Sequence, residues 1–417
     1  MIRRQAFKFE LMPTGKQQCA MRCFAGARRF VFNRALALQN EQHAKGGQYI
    51  GYVAMAKLLT AWRHSEETPW LKEAPVHPLQ HALKDLERAF QNFFAKRAGH
   101  PRFCKRGQHD SFRYPDPKQI KLDQGNGRIF LPKLGWLRYR KSRSVLGTVK
   151  QVTVCAGGDK WFVAIQTERE VSDAQPQSTT AIGIDVGIVN FAALSDGKLI
   201  APLNSFRRHE ARIRRAQRSM SRKVKFSANW RKAKAKVQRL HARIANARRD
   251  FLHKESTTIC NNHALVCIED LQVKCMSRSA AGTRAQPGRN VRAKSGLNKA
   301  ILDQGWSEFR RQLAYKAAWR GGELLAVPPQ NTSRTCPDCG HAAAGNRRSQ
   351  ARFACVACGY ENHADVVGAI NVLARGIRVL ACGATAQSGP AMKQEPAGVL
   401  CRRKVAASAD GIPFLSA

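Results

Sequence analysis

Four cysteines near the C-terminus have the spacing of a metal site. They form two pairs, each with two residues between its members, and fifteen residues separate the pairs: Cys336, Cys339, Cys355 and Cys358. Four thiolates at this spacing can surround a tetrahedral zinc ion. A glycine follows each pair and would let backbone amides turn towards the sulfurs. The pattern predicts a structural zinc ribbon, and its alternative is two coincidental pairs of buried cysteines.

Three acidic residues beside apolar segments predict a second site. Asp185 is embedded in the apolar strand AIGIDV, Glu269 ends the apolar run LVCIE, and Asp365 opens the apolar helix ADVVGAIN. Burying a carboxylate among apolar side chains costs on the order of several kcal/mol unless a cation compensates. Taken singly, Asp365 could be a plain helix cap and Glu269 a charge at a strand end. Together they predict one site, because carboxylates brought close would repel unless divalent cations bridged them.

The rest of the chain supplies the elements that must position these residues. Apolar alternation predicts a strand before Pro13, and helical spacing of apolar residues predicts helices over 17–42 and 78–96. Short apolar runs with turn signals between 101 and 168 predict several strands that close a small barrel or sheet. After a polar linker, the strand of Asp185 opens a meander, and residues 206–250 predict long helices rich in Arg and Lys.

The charge of the chain indicates its partner. Lys and Arg number 71 against 29 Asp and Glu, for a formal net charge of +42 that is spread over the whole chain. Such an excess predicts a polyanion partner. No apolar run approaches the roughly 20 residues of a membrane-spanning helix, so nucleic acid is favoured over a membrane surface. Nine of the 13 cysteines are scattered without pairing, which is typical of a reducing cytosol.

Two basic regions are candidate nucleic-acid contacts. The first interleaves basic and aromatic residues after residue 100, and the second is the Arg/Lys-rich helical region. Alternatively, the aromatic residues of the first are core and the charges of both are a solvated face, although solvated faces normally mix both signs. The candidate contacts are Arg102, Lys105, Arg106, Arg207, Arg208, Arg212, Arg215, Arg222, Lys232 and Lys236.

The order of the segments resembles a known family. A strand acid in GIDVG, an acid in IEDL, a ribbon from TSRTCPDCG to CVACG and an acid opening ADVVGAIN look like a split RuvC nuclease domain with an inserted zinc ribbon. This arrangement resembles TnpB, which many bacterial insertion sequences encode and which is related to the type V CRISPR effectors. The segments KFELMPTGKQQ, GARRFVFNRAL, PLQHALKDLERAFQNFF and GHPRFCKRG are also similar to that family, so the resemblance covers residues 5 to 376.

The resemblance implies a multidomain α/β fold: an RNase-H-like (RuvC) nuclease domain with an inserted zinc ribbon, a small β-barrel (wedge) domain and a helical recognition module. The implied divisions are residues 1–13 for the first wedge strand, 14–96 for the recognition module, 97–172 for the wedge barrel, 173–330 for the nuclease domain with its basic helices, 331–362 for the zinc ribbon and 363–378 for the last nuclease helix. Residues 379–417 lack apolar periodicity and are expected to be a disordered tail.

The resemblance also implies an activity, cleavage of DNA by metal-dependent phosphodiester hydrolysis. Asp185, Glu269 and Asp365 would hold two Mg²⁺ or Mn²⁺ ions that activate water and stabilise the leaving oxygen. The four cysteines would hold a zinc ion with no open position. A noncoding guide RNA would pair with double-stranded target DNA beside a short motif read by the protein. The implied protein is a monomer in its ribonucleoprotein, located in the bacterial cytoplasm with the nucleoid.

One departure from the family pattern and two alternative functions stay open. Family members often carry Asn two positions after the last acid, where this chain has Val367, which changes local hydrogen bonding but removes no acid. A nuclease-inactive RNA-guided repressor would require the loss of an acid, and all three are present. A DNA transposase acting without guide RNA could use the same kind of metal site for strand transfer.

Overall fold

A computed structural model describes residues 1–176 and 178–386 of the chain. The N-terminal half contains three helices and seven strands: β1 (Ile2–Met12), α1 (Gly15–Ala44), α2 (Tyr52–His64), α3 (Val76–Phe94), β2 (Ser111–Tyr114), β3 (Lys121–Asp123), β4 (Arg128–Leu131), β5 (Gly135–Tyr139), β6 (Thr148–Gly157) and β7 (Lys160–Glu170). Short 3-10 helices lie at Pro69–Lys72 and Pro117–Gln119.

The second half contains the segments that carry the acids and the cysteines. Its elements are β8 (Ala181–Val186), β9 (Ala192–Leu194), β10 (Leu199–Ile200), α4 (Ser205–Ser221), α5 (Ala228–Asn262), β11 (Leu265–Glu269), α6 (Val273–Met276), α7 (Val291–Gln304), α8 (Trp306–Trp319), β12 (Glu323–Val327), β13 (Arg352–Ala354), β14 (Glu361–His363) and α9 (Ala364–Ala386), with a 3-10 helix at Ala344–Asn346. The chain is thus a mixed α/β protein.

The first sheet has seven strands in the order β2-β6-β7-β1-β5-β4-β3. Strand β1 lies inside it, paired with β7 on one side and β5 on the other, and its alternating residues Phe7, Phe9 and Leu11 point to the buried face. Strands β2 and β3 are the edges, and no pairing joins them among the described residues. Closure of this sheet into a barrel therefore stays a prediction.

The first three helices pack on the buried face of this sheet. A capping box between Thr14 and Gln17 starts α1, since each side chain bonds the backbone N–H of the other. The buried stripes of α1 and α3, which include Met21, Val31 and Leu83, join the residues of the sheet in one hydrophobic core. The helices and the seven-stranded sheet are therefore packed as one unit.

The second sheet has five strands in the order β10-β9-β8-β11-β12. Strands β8, β9 and β10 form an antiparallel meander, whereas β11 runs parallel to both β8 and β12. Helices α5 and α8 contribute to a core with β8 and β11. Helix α9 lies so close to β8 that a Cβ at Gly183 would clash with the carbonyl oxygen of Ala369. Glycine at this position is what allows the helix to approach the strand.

Helices α4 and α5 form a hairpin with a small core of its own, in which Ile213 and Ala216 pack against Val237, Leu240 and Ile244. The buried carboxylate of Asp303 accepts hydrogen bonds from the backbone N–H of Phe206 and from Ser205 Oγ, at the N-terminus of α4. A negative charge is favourable at this helix end. Asp303 is therefore explained as a structural cap.

Helix α9 continues to Ala386, so the prediction that a disordered tail begins at residue 379 is wrong for residues 379–386. The alanine-rich composition that suggested disorder is also compatible with a helix. The remainder of the predicted tail, 387–417, lies outside the described residues.

Among the helices of the described part, none is both long and apolar enough to span a membrane.

Candidate active site

The three predicted acids lie at one edge of the five-stranded sheet. Asp185 is near the end of β8, and Glu269 ends β11, its parallel neighbour, in which Ile268 pairs with Ile184. Parallel strands end at the same edge of a sheet, so these two carboxylates are neighbours. Asp365 reaches them from the first turn of α9, the helix that packs on β8.

Asp185 has the least favourable environment of the three acids. Burial raises the pKa of its carboxyl to about 8, and the negative charges of Glu269 and Asp365 add to the shift. The guanidinium of Arg347 and the backbone N–H of Val186 act in the opposite direction. The charged form of Asp185 is thus unfavourable unless a cation is bound nearby.

Helix α9 passes directly over the Asp185 carboxylate. A Cβ at Gly368 would lie 2.7 Å from Asp185 Oδ2, which is closer than side-chain carbons approach an oxygen. Glycine at this position therefore leaves the carboxylate its space under the helix.

Glu269 is 8% exposed and is held by one side chain. The hydroxyl of Thr332 donates a 2.7 Å hydrogen bond to its Oε1. Burial raises the pKa of Glu269, whereas this hydrogen bond and the charge of Arg375 oppose the shift. Asn371 of α9 fixes the loop that carries Thr332, because its Nδ2 donates 2.7 Å bonds to the carbonyls of Thr332 and Thr335.

Asp365 shares its two oxygens between two partners. Asn190 Nδ2 donates to Oδ2 at 3.0 Å, and Arg347 Nη2 donates to Oδ1 at 3.3 Å. Asn190 follows β8 in the loop before β9, and Arg347 belongs to the stretch between the cysteine pairs. Neither residue was predicted from the sequence. A polar residue soon after an acid-bearing strand was a weak signal for Asn190, and no signal distinguished Arg347 from the other arginines.

The four predicted cysteines converge. Their Sγ atoms all lie within 4.8 Å of one another, with 3.6 Å between Cys336 and Cys358 and 3.6 Å between Cys339 and Cys355. Sulfurs arranged tetrahedrally around zinc at about 2.3 Å are about 3.8 Å apart, so the cluster fits this metal. The N–H of Cys358 is the main cause that lowers the pKa of Cys355, to about 6, whereas neighbouring thiols and burial outweigh a backbone N–H and raise the pKa of Cys339 and Cys358. The metal-free cluster therefore favours a thiolate at Cys355.

The turns of the two cysteine pairs have the backbone that such a site needs. Gly340 and Gly359 adopt φ of +75° and +77°, and each N–H bonds the carbonyl of the first cysteine of its pair. The glycines predicted from the sequence thus adopt a conformation that few other residues tolerate. None of the 12 cysteines in the described part of the chain forms a disulfide.

The carboxylates converge less tightly than the sulfurs. Within residues 1–176 and 178–386, the four cysteines are the one group of three or more His, Cys, Asp or Glu side chains whose ligand atoms lie within 4.8 Å of one another. Like charges repel, and Mg²⁺ retains several waters, so carboxylates that serve two ions need not touch. The raised pKa of Asp185 and the oxygen-only donor set fit divalent cations.

Val367, the departure from the family pattern, has a packing role. It is fully buried in a cluster with Phe353, Ala364 and two of the cysteines, Cys336 and Cys355. The side chain therefore joins α9 to the cysteine cluster. No polar group is needed at this position.

The ten predicted nucleic-acid contacts are all exposed. Three lie in the irregular segment between α3 and β2, and the others lie on or next to α4 and α5. No carboxylate of the described residues forms an ion pair with any of the ten. Between α4 and α5 is a groove of about 520 Å³ whose cations are Arg212, Arg215, Lys223, Lys232 and Lys236. We call it the basic groove.

A larger cavity lies away from the acids. It has a volume of about 780 Å³ and is lined by residues of α1 together with Trp70 and Phe103. None of the three acids lines it, so its size is no indication of catalysis.

The fold and the site define a class of protein: an α/β protein with three carboxylates at a sheet edge, a neighbouring four-cysteine cluster and a basic groove. The family model described as "Probable transposase" matches residues 164–280, and one described as "Cas12f1-like, TNB domain" matches residues 306–372. A model described as "Helix-turn-helix domain" matches residues 1–48, where the structure has strand β1 and the single helix α1.

Close relatives identify the family. The chain is 60% identical over 396 residues to InsQ of Escherichia coli K12, named as an RNA-guided DNA endonuclease, covering 95% of this chain and 98% of that protein. It is 36% identical to a Streptomyces pristinaespiralis protein named in the same way, covering 91% of each chain. The solved structure of the RNA-guided endonuclease CRISPR-Cas phi3 covers 90% of this chain and 92% of its own, with 12% identity and a TM-score of 0.42. The chain belongs to the TnpB family, as its motifs predict.

Proposed function

We propose that this protein is an RNA-guided DNA endonuclease that cleaves target DNA beside a short motif by two-metal-ion phosphodiester hydrolysis. The observation that carries the proposal is the meeting of Asp185, Glu269 and Asp365 at one sheet edge, where burial and the other two charges raise the pKa of Asp185 to about 8. Its relatives InsQ and the Streptomyces protein are named as RNA-guided DNA endonucleases.

The three acids would hold two Mg²⁺ or Mn²⁺ ions. When bound, such ions activate the attacking water and stabilise the leaving oxygen, so that no side chain needs to be a nucleophile. The other residues hold the acids in place. Thr332 fixes one oxygen of Glu269, and Asn190 and Arg347 orient Asp365. The guanidinium of Arg347, which lies beside Asp365, would also be a donor for a phosphate of the DNA strand.

The domain assignment rests on topology and on the family. The five-stranded sheet is a three-stranded meander followed by two parallel strands. The acids lie on the first and fourth of these strands in chain order and on the C-terminal helix α9. This arrangement matches an RNase-H-like (RuvC) domain. On this assignment the cysteine cluster is a structural zinc ribbon with no open position for a substrate. The seven-stranded sheet is the wedge domain, and α1 to α3 form the recognition module.

The partners are a noncoding guide RNA and double-stranded target DNA. Base pairing between them would supply sequence specificity, and the protein would hold the backbones. The net charge of +42 suits this role, since a folded RNA together with DNA offers many phosphates. The exposed, unpaired cations of the basic groove are where we place part of the RNA–DNA duplex.

A transposase acting without RNA is the second candidate, because the family model for residues 164–280 is described as "Probable transposase". Its strand transfer would join a 3' hydroxyl to target DNA, whereas the proposed endonuclease leaves cleaved ends. A repressor that has lost cleavage is not supported by the residues, since all three acids are present.

The test begins with the RNA. The chain is expressed with its native flanking DNA, purified through a high-salt wash, and the retained RNA is sequenced. We expect one discrete RNA species that ends near the terminus of the insertion sequence that encodes the protein. A heterogeneous mixture, or strand-transfer products formed without RNA, would favour the transposase.

Cleavage is then tested with that RNA and a matched DNA target. Asp185→Asn should abolish cleavage and retain binding, because it removes a metal ligand and leaves the basic surface intact. The control is Asp196→Asn. The Asp196 carboxylate lies in the turn before β10, where it accepts a hydrogen bond from the N–H of Lys198. Full cleavage by Asp185→Asn would refute the site.

A further inference from the structure

The tip of the α4–α5 hairpin carries an aromatic side chain that is largely exposed. Phe226 lies in the turn between the helices, is 63% exposed and adopts a φ of +69°. Exposing a phenylalanine is unfavourable, and this left-handed backbone conformation is one that glycine adopts far more readily. The backbone at this position therefore favours a glycine, and it does not account for the phenylalanine found there.

The surroundings of Phe226 combine rings with positive charges. Its ring meets the ring of Trp230 edge-on with 5.4 Å between centroids. The ammonium of Lys225 lies 5.3 Å from the Phe226 ring, and that of Lys234 lies 5.1 Å from the Trp230 ring. Aromatic faces bordered by cations are the combination that binds single-stranded nucleic acid, since bases stack on rings while phosphates meet the charges.

The tip adjoins two basic surfaces. Lys223, three residues before Phe226, lines the basic groove. On the other side, the ammonium of Lys234 lies 4.0 Å from the place of a Cβ at Gly107, next to the exposed cations Lys105 and Arg106. A single nucleic-acid strand bound along these cations would therefore pass the ring of Phe226.

We propose that Phe226 stacks on an unpaired base of the bound guide RNA. The inference rests on the proposed function, which supplies the RNA. Target DNA keeps its bases paired and stacked until it is opened, whereas loops and ends of a noncoding RNA display unstacked bases. Phe226 thereby anchors the RNA at the hairpin tip by a contact that involves base and ring rather than phosphate.

The first test compares two probes of equal phosphate number on the full-length protein: a 15-nucleotide oligoadenylate RNA and a 15-unit abasic oligomer. Phe226→Gly should weaken oligoadenylate binding about tenfold, the order expected for one stacked base, and leave the abasic oligomer unaffected. The slope of affinity against salt should not change, because no phosphate contact is lost. Equal oligoadenylate affinities of Phe226→Gly and wild type would overturn the proposal.

Two controls separate stacking from folding. The melting temperature of Phe226→Gly should stay within about 2 °C of wild type, since glycine relieves the left-handed strain. Phe226→Trp keeps an aromatic face and should bind oligoadenylate as well as wild type or better. If Phe226→Trp instead binds as weakly as Phe226→Gly, stacking is refuted.

The second test identifies the source of the base. The ribonucleoprotein bound to DNA is irradiated with ultraviolet light, and the peptide that contains Phe226 is analysed by mass spectrometry. A ribonucleotide adduct supports the proposal, and a deoxyribonucleotide adduct overturns the assignment to RNA.

Neither test needs cleavage. A protein that binds RNA through Phe226 but cuts no guided DNA would refute the proposed function alone, and guided cutting with unchanged Phe226→Gly affinity would refute the stacking alone.

Discussion

Asp185 has an environment that a metal ion would relieve. Its carboxyl is partly buried beside two other acids, and its pKa of about 8 means that the metal-free protein binds a proton there at neutral pH. A bound cation would displace that proton, because metal binding requires the charged carboxylate. The affinity for Mg²⁺ should consequently rise with pH up to about 8.

The first prediction concerns the glycine above this carboxylate. Gly368→Ala places a Cβ 2.7 Å from Asp185 Oδ2, so the carboxylate or the helix must shift. We expect cleavage to fall about a hundredfold, since misplacement of a reacting group by about 1 Å costs this order of rate. Single-turnover cleavage at saturating RNA and increasing Mg²⁺ concentration measures the change.

The matched control is Gly296→Ala in α7. A Cβ at Gly296 meets nothing within 4 Å, so this change adds a methyl group in open space. Alanine favours a helix over glycine, and stability should stay equal or rise slightly. Equal cleavage rates for Gly368→Ala and Gly296→Ala would contradict the role given to the close approach of α9.

At the scale of elements, helix α9 serves two sites. Its first turn carries Asp365, and in the same region Ala364 and Val367 pack against the core of the cysteine cluster. In addition, Arg347 from the stretch between the cysteine pairs contacts Asp365. Loss of metal from the cysteine cluster should therefore reach the acids through this helix and this arginine.

The second prediction is that Cys336→Ser lowers zinc content, folded yield and cleavage together. Binding of a structural zinc contributes directly to the free energy of folding, and three thiolates hold it less well than four. Cys275→Ser, which alters an exposed free thiol of α6, is the control and should change none of the three. Normal zinc stoichiometry in Cys336→Ser would disprove the ribbon.

A buried lysine makes the contact between α5 and α8 dependent on pH. Lys316 is 6% exposed and donates 2.7 Å bonds to His253 O, Ser256 Oγ and Thr257 Oγ1. Burial lowers the pKa of Lys316 from 10.5 to about 8. Between these values the unfolded chain binds more protons than the folded one, so this group makes stability increase as pH rises from about 8 to 10.5.

The third prediction follows from that lysine. Lys316→Met removes the titration, so its stability relative to wild type should decline as pH rises from about 8 to 10.5, where the wild-type lysine loses its unfavourable charge. Chemical denaturation at several pH values measures this difference. A constant difference between the two proteins over that interval would show that Lys316 does not titrate there.

At the scale of the whole molecule, positive charge is far in excess and much of it is unpaired. The cations of the basic groove face one another between α4 and α5, and with no polyanion present they repel. Binding of RNA would remove this repulsion and release counterions from the RNA. The ribonucleoprotein should therefore be more stable than the free protein, and less so at high salt.

The fourth prediction is that Lys232→Gln with Lys236→Gln weakens RNA binding and lowers the slope of log affinity against log salt by about 2, one for each lost phosphate contact. A titration over roughly 50 to 300 mM salt measures it. Lys254→Gln is the control, because Lys254 is already paired with Asp250 at 2.8 Å. An unchanged slope in the double variant would remove the groove from the nucleic-acid surface.

Much of the molecule could be predicted from local sequence. The cysteine spacing predicted a cluster that the structure forms, and the apolar runs around the acids predicted the strands and the helix that carry them. Both are local signals, in which the residue and its element lie within a few positions. Helix α2 was missed, and the end of α9 was placed too early, because neither has a strong boundary signal in the sequence.

The partners of the acids were decided only by the tertiary structure. Asn190 and Arg347 are 175 and 18 residues from Asp365, and Thr332 is 63 residues from Glu269. The closeness of Gly368 to Asp185 depends on how α9 lies on β8. The sequence by itself determined the family, the acids and the cysteines, because residue type and spacing along the chain are enough to identify them. Tertiary packing decided which neutral and basic side chains hold them, because those contacts join segments whose spacing in the chain carries no signal.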